Sequence, residues 1–105
     1  KKYKMPYSLL GGCISKAEIG KMEYSLHYLN LLEQHDNLAK CIEFENISSV
    51  FEIGGGFGAN VHILLENYPN IKKILYLDIS PHLYIGTQYL KAFYGESVKD
   101  YGTLK

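Results

Sequence analysis

Val50-Phe51-Glu52-Ile53-Gly54-Gly55-Gly56-Phe57-Gly58 is the stretch on which the reading of this chain turns. Residues 47–53 form a short β-branched and aromatic run, which is strand chemistry, and the run stops abruptly at a cluster of glycines. Glycine lets the backbone enter positive φ and lets a ligand approach the main chain without meeting a Cβ. Beyond it, residues 59–68 place Val61, Leu64 and Leu65 at helical spacing with Ile63 beside them, and Pro69 ends that helix. The predicted unit is a strand, a glycine turn and a helix whose free N-terminal amides look toward the turn.

On the C-terminal side, residues 71–79 carry a second apolar run centred on Ile74-Leu75-Tyr76-Leu77, which reads as a strand buried on both faces and ending at Asp78. Ser80 then caps a helix with Pro81 at its first position, a stripe of Leu83, Thr87, Leu90 and Phe93 or Tyr94, and Gly95 at its close. Gly86 inside that helix costs about 1 kcal/mol relative to Ala; close helix packing and simple family variation both account for it. On the N-terminal side, Ser15-Lys16-Ala17-Glu18 fits a capping box. A helix is therefore predicted from residue 15, with Ile19, Met22, Leu26, Leu29 and Glu33 as its stripe and its end near His35-Asp36. Asn37 can cap a second short helix carrying Leu38, Cys41 and Ile42. The order helix, helix, β, α, β, α predicts an α/β fold with a parallel sheet and right-handed crossovers. Residues 1–14 read as a flexible lead-in, 15–46 as N-terminal helices, and 47–105 as the α/β part.

Composition bounds the partners. The 105 residues hold 11 basic and 11 acidic groups, so no net field draws in nucleic acid or an anionic membrane. Charge-free runs fall well short of the ~18 to 20 apolar residues that span a bilayer. Lys1, Lys2 and Lys4 ahead of Leu9-Leu10-Gly11-Gly12-Cys13 imitate a lipoprotein signal, but Pro6 and Tyr7 leave an apolar stretch shorter than the roughly 7 to 15 residues such a signal needs. Cys13 and Cys41 lack zinc or redox spacing, so two reduced thiols and a cytoplasmic location are expected. His27, His35, His62 and His82 are scattered without ligand spacing, and no metal is expected. Every basic residue is lysine, and Tyr, Asn and Ile are abundant, which resembles the usage of AT-rich bacterial genomes. Tyr24 and Tyr28, one helical turn apart, suit a stacking lid over a sugar or, more commonly, packing.

Two carboxylates give the glycine turn its chemistry. Asp78, at the tip of the second strand, is placed to accept both hydroxyls of a ribose, so a nucleoside-bearing cofactor is expected across adjacent strand ends. The run from Gly54 to Ala59 satisfies G-x-G-x-x-G/A, which leaves an NAD(P)-dependent enzyme open. Glu52 tilts the choice, because a negative charge two positions before the first glycine suits a cationic amino-acid moiety better than a pyrophosphate. A non-enzymatic nucleotide-binding module is the third alternative.

At these residues the sequence resembles the S-adenosylmethionine-dependent methyltransferases, whose first motif reads acidic-x-Gly-x-Gly-x-Gly and whose second strand ends in an acidic residue. Residues 50–95, with Leu77-Asp78-Ile79 and Gln88-Tyr89-Leu90-Lys91, are similar more narrowly to the sugar O-methyltransferases of bacteria. The resemblance implies a Rossmann-like class I methyltransferase fold of which this chain carries the first half, with the N-terminal helices capping the cofactor site. It implies that Gly54, Gly56 and Gly58 form the turn under the methionine part of S-adenosylmethionine, with Gly55 and Phe57 in the same cofactor-binding set. Glu52 would face the amino-acid end, Asp78 hold the ribose and Ile79 pack on the adenine edge. The implied reaction methylates a sugar hydroxyl of a surface glycan or its precursor, and no residue matches the base that such a hydroxyl needs. Only two strands are readable, whereas the fold it resembles has seven, so the chain by itself is expected to be marginally stable or a homo-oligomer, and without turnover.

Overall fold

In a computed structural model that describes residues 3–4 and 15–104, the chain opens on a hairpin instead of a helix. Strand β1 (Lys16–Ile19) pairs antiparallel with β2 (Met22–Ser25), and Ile19 faces Met22 across a two-residue turn in which Gly20 has φ +69°. The predicted capping box at residues 15–18 is therefore overturned. The Ser15 carbonyl accepts from Leu26 N at 3.1 Å, and Lys16 reaches Glu23 across the hairpin at 3.3 Å. A glycine that must hold positive φ suits a turn far better than a helix interior.

Helix α1 (Leu26–Leu38) follows without a break, and the second short helix predicted from Asn37 is absent. The chain instead leaves α1 through a turn and makes one 3-10 turn at Phe44–Asn46. The buried face of α1 is also not the predicted stripe: Tyr28 and His35, two turns apart, are its buried residues, while Leu26 is exposed. Both buried groups are polar aromatics with partners. His35 Nε2 lies 2.8 Å from the Tyr68 hydroxyl, and the Tyr28 hydroxyl meets the Tyr89 hydroxyl and His62 Nδ1. Tyr28 is thus a core residue and not a lid.

The rest of the chain follows the predicted order. Strand β3 (Ser49–Ile53), helix α2 (Ala59–Asn67), strand β4 (Lys73–Leu77) and helix α3 (His82–Tyr94) form one β-α-β-α unit, with β3 and β4 parallel in the register Val50↔Ile74, Glu52↔Tyr76, Ile53↔Leu77. Ser80 makes no side-chain cap; α3 begins after Pro81 and ends at Gly95. Gly86 is explained by packing, since a Cβ there would run into the Tyr76 hydroxyl and lie 2.9 Å from the Gly56 carbonyl.

All three helices gather on one face of β3–β4. One cluster joins Tyr28, Val61, Ile63, Tyr89 and Leu90 to Ile74 and Tyr76, and a second joins Phe44, Leu64, Tyr68 and Ile71 to Val50. The expectation of strands buried on both faces is corrected accordingly, because Phe51, Ile53, Leu75 and Leu77 on the opposite face stand exposed. Tyr3 and Lys4 are tied to the body: Tyr3 packs edge-on against His35, and Lys4 N donates to Asn67 Oδ1 at 2.6 Å. Apart from Tyr3 and Lys4, the lead-in residues lie outside the described residues, Cys13 and most of the imitated signal among them, while Cys41 is a free, exposed thiol. Among the described residues no helix is long and apolar enough to cross a membrane, and no group of three or more His, Cys, Asp or Glu could hold a metal ion.

Candidate functional site: the cleft at the glycine turn

Strand alternation decides which side chains reach the site. Within β3, Val50 and Glu52 point to the helix-covered face, so the chain leaves the strand with a carboxylate half-buried beneath the turn that follows. Gly54 extends the ladder by donating its N–H to Leu77 O at 2.8 Å. The backbone then turns through φ of +73° at Gly54, +62° at Gly56 and +93° at Gly58. At Gly56 the conformation has a purpose, since its N–H donates to Asp78 Oδ2 at 2.8 Å while its carbonyl accepts from the Tyr76 hydroxyl. The turn is held from both sides, by β4 and by the residue that follows it.

A cleft of about 340 Å³ opens between this turn and α1. Its turn side is Gly54, Gly55, Gly56 and Phe57, its floor is Glu52 and Asn60, and its far wall is His27, Leu31, Gln34 and Leu38 of α1. Phe57 fixes the distance between the two walls by packing on His27, Tyr28 and Tyr89. A Cβ on Gly55 would overlap the Tyr76 ring and lie 2.9 Å from Glu52 Cδ, so glycine there lets the backbone lie directly on the carboxyl group.

Glu52 is the electrostatic centre of the cleft. Asn60 Nδ2 donates to Oε1 at 3.0 Å, while Oε2 is buried with no hydrogen-bond partner. Burial pushes the carboxyl above its ordinary pKa, and the Asn60 hydrogen bond pulls it partly back. Burial, followed by the nearby negative charges of Asp78 and Glu52, pushes Tyr76 up to about 12. Among the described residues the lining supplies this carboxylate and no lysine, so the cleft is chemically disposed toward a cation and against a pyrophosphate.

Of the eight residues marked in the sequence, five meet in the cleft: Glu52, Gly54, Gly55, Gly56 and Phe57. Gly58 is buried behind them at the start of α2, where its missing Cβ makes room for Leu90. Asp78 stands beside the turn, not in the cleft wall, accepting from Gly56 N and from Ile79 N at 2.7 Å. Ile79 is 73% exposed at the strand tip. Asn60 and Tyr76 were missed from the sequence. The signal for Tyr76 was the register itself, since aligning the two strand tips places it opposite Glu52.

A family model described as an O-methyltransferase domain matches residues 14–102. The chain belongs to the O-methyltransferase domain family. It is a methyltransferase, of a family that typically takes its methyl group from S-adenosylmethionine. No curated protein and no solved structure matches the chain. The O-methyltransferase match begins ahead of the hairpin and takes in α1, so both cleft walls lie within it. It also encloses residues 50–95, which carried the resemblance read from the sequence.

Proposed function

We propose that this chain binds S-adenosylmethionine in the cleft between α1 and the glycine turn and presents it for transfer to an oxygen nucleophile. The observation that carries the reading is the buried, unpartnered Oε2 of Glu52 on the floor of a cleft whose described lining includes no lysine. A buried acceptor without a donor is costly, and a bound ammonium would supply the missing partner. When bound, the sulfonium of the cofactor supplies the methyl group. The chain's own part is to orient it: Glu52 takes the amino-acid end, and Gly54, Gly55 and Gly56 give the main chain close approach. Phe57 and Gly58 hold the turn in shape. An ionised carboxylate has about four lone-pair sites. The hydrogen bonds from Gly56 and Ile79 leave Asp78 capacity for ribose hydroxyls, and the exposed Ile79 beside it offers an apolar edge for adenine.

The resemblance of residues 50–95 to bacterial sugar O-methyltransferases supports a sugar hydroxyl of a surface glycan or its precursor as the acceptor, and with it a cytoplasmic site of action. Removing the hydroxyl proton requires a base, and no described residue is assigned that task. The chain's uncovered sheet face supports a homo-oligomer in solution.

Titration calorimetry tests the reading. S-adenosylmethionine should bind and NAD should not, and Glu52→Gln should weaken S-adenosylmethionine roughly ten- to a hundredfold through loss of a charge-assisted hydrogen bond. Equal affinity of wild type and variant would remove Glu52 from the site.

A further inference from the structure

Asn60 sits in the first turn of α2, a helix whose N-terminus has no side-chain cap. Asn is a poor residue inside a helix because its amide competes for backbone partners, yet here the amide is turned away onto the neighbouring strand. Its Nδ2 donates to Glu52 Oε1 at 3.0 Å, both residues line the cleft, and the other oxygen of the same carboxylate is buried without a partner. A Cβ on Gly55 would lie 2.9 Å from the carboxyl carbon, so glycine there leaves the group its space. One oxygen is thus occupied, and the other remains for a ligand.

Resting on the cofactor reading above, we infer that Asn60 is the positioning residue for Glu52, fixing one carboxylate oxygen so that the other stays free and aimed at the ammonium of the cofactor's amino-acid end. A hydrogen bond to the charged form opposes the burial that favours the neutral form. The remaining groups around the carboxylate cannot do this. From β4 comes the Tyr76 hydroxyl, which is given to the Gly56 carbonyl, and from the residue after it Asp78, which accepts from Gly56 N. Across the cleft α1 contributes His27, which packs on Phe57, the exposed Gln34, and His35, whose Nε2 is engaged with Tyr68. Asn60 is the group that α2 sends to the carboxylate.

The test uses the full chain with Asn60→Leu, which removes the donor at similar size, and Asn60→Asp, which adds a second carboxylate. Carbon-13 NMR titration of the Glu52 carboxyl in the ligand-free chain should show its midpoint moving up in Asn60→Leu and further up in Asn60→Asp. Calorimetry with S-adenosylmethionine at pH 7 should show roughly tenfold weaker binding for Asn60→Leu. That loss should shrink at higher pH, where Glu52 ionises without help. An unmoved midpoint, or a loss of affinity that is the same at every pH, would overturn the positioning role while leaving the cofactor site in place. Failure of the wild type itself to bind S-adenosylmethionine, with a normal thermal melt, would overturn the cofactor reading and this inference together.

Discussion

On one face of the β3–β4 pair stand Val50, Glu52, Ile74 and Tyr76, half-buried under the helices; on the other stand Phe51, Ile53, Leu75 and Leu77, 49 to 71% exposed. The covered face carries Glu52 and Tyr76, while the open face is apolar apart from Ser49 and Lys73, which face each other at the start of the two strands. That is the reverse of a sheet with one solvated side, where the outer residues are polar. The difference teaches that polarity along these strands marks the cleft and not the solvent. A parallel sheet normally has both faces covered, and the open one has the composition of a surface meant to be buried.

Substitutions can set the two faces against each other. The largest effect is expected on the covered side: Ile63, fully buried among α1, α2 and α3, should lose about 2 to 5 kcal/mol of stability on Ile63→Ala, read by denaturant unfolding. Next is Gly86→Ala, whose methyl would meet the Tyr76 hydroxyl and the Gly56 carbonyl. Overpacking of this kind costs about 1 to 3 kcal/mol. Because Tyr76 stands opposite Glu52, cofactor affinity should fall with the melting temperature.

A milder lever is pH. Burial holds the His62 imidazole below its ordinary value of 6.5, with Glu66 opposing, so the unfolded chain takes up a proton that the folded chain resists. Stability is then fully present above pH 6.5 and is lost as pH falls through the lower folded value. Thermal melts should drop below pH 6.5, and His62→Gln should flatten that part of the profile. The smallest effect is expected on the open face. Phe51→Ser with Leu75→Ser should change the stability of a monomer by no more than about 0.5 kcal/mol, while sedimentation shifts toward smaller species. A loss as large as that of Ile63→Ala would show that the open face is buried in solution.

The β3-α2-β4-α3 unit was legible because each boundary carries its own stop signal: the glycine run, Pro69, Asp78 with Pro81, and Gly95. The hairpin was not, and the reason lies in the spacing. Ile19 and Met22 are three apart, which is one helical step, yet the same interval closes a two-residue hairpin in which the two residues face each other. The anchors of α1 were hidden for a different reason: Tyr28 and His35 count as polar in a hydrophobic stripe, and their burial is possible only because α2, the segment after it and α3 supply His62, Tyr68 and Tyr89 as partners. At the site, Glu52 and the glycines could be read from local order. Asn60 could not, because its meaning depends on which way one side chain turns across 8 positions.

The Asn67 amide has a kinetic consequence. Its Oδ1 accepts from Lys4 N and its Nδ2 donates to Lys4 O at 2.7 Å, so one side chain clasps a backbone segment 63 positions away. Closing so long a loop costs more chain entropy than any contact within the β-α-β-α unit, and the exposed clasp has little buried area to offset it. The Lys4 clasp should therefore be last to form during folding and its amide first to exchange in the native protein, while the amides of α2 between Val61 and Leu64 exchange only on global opening.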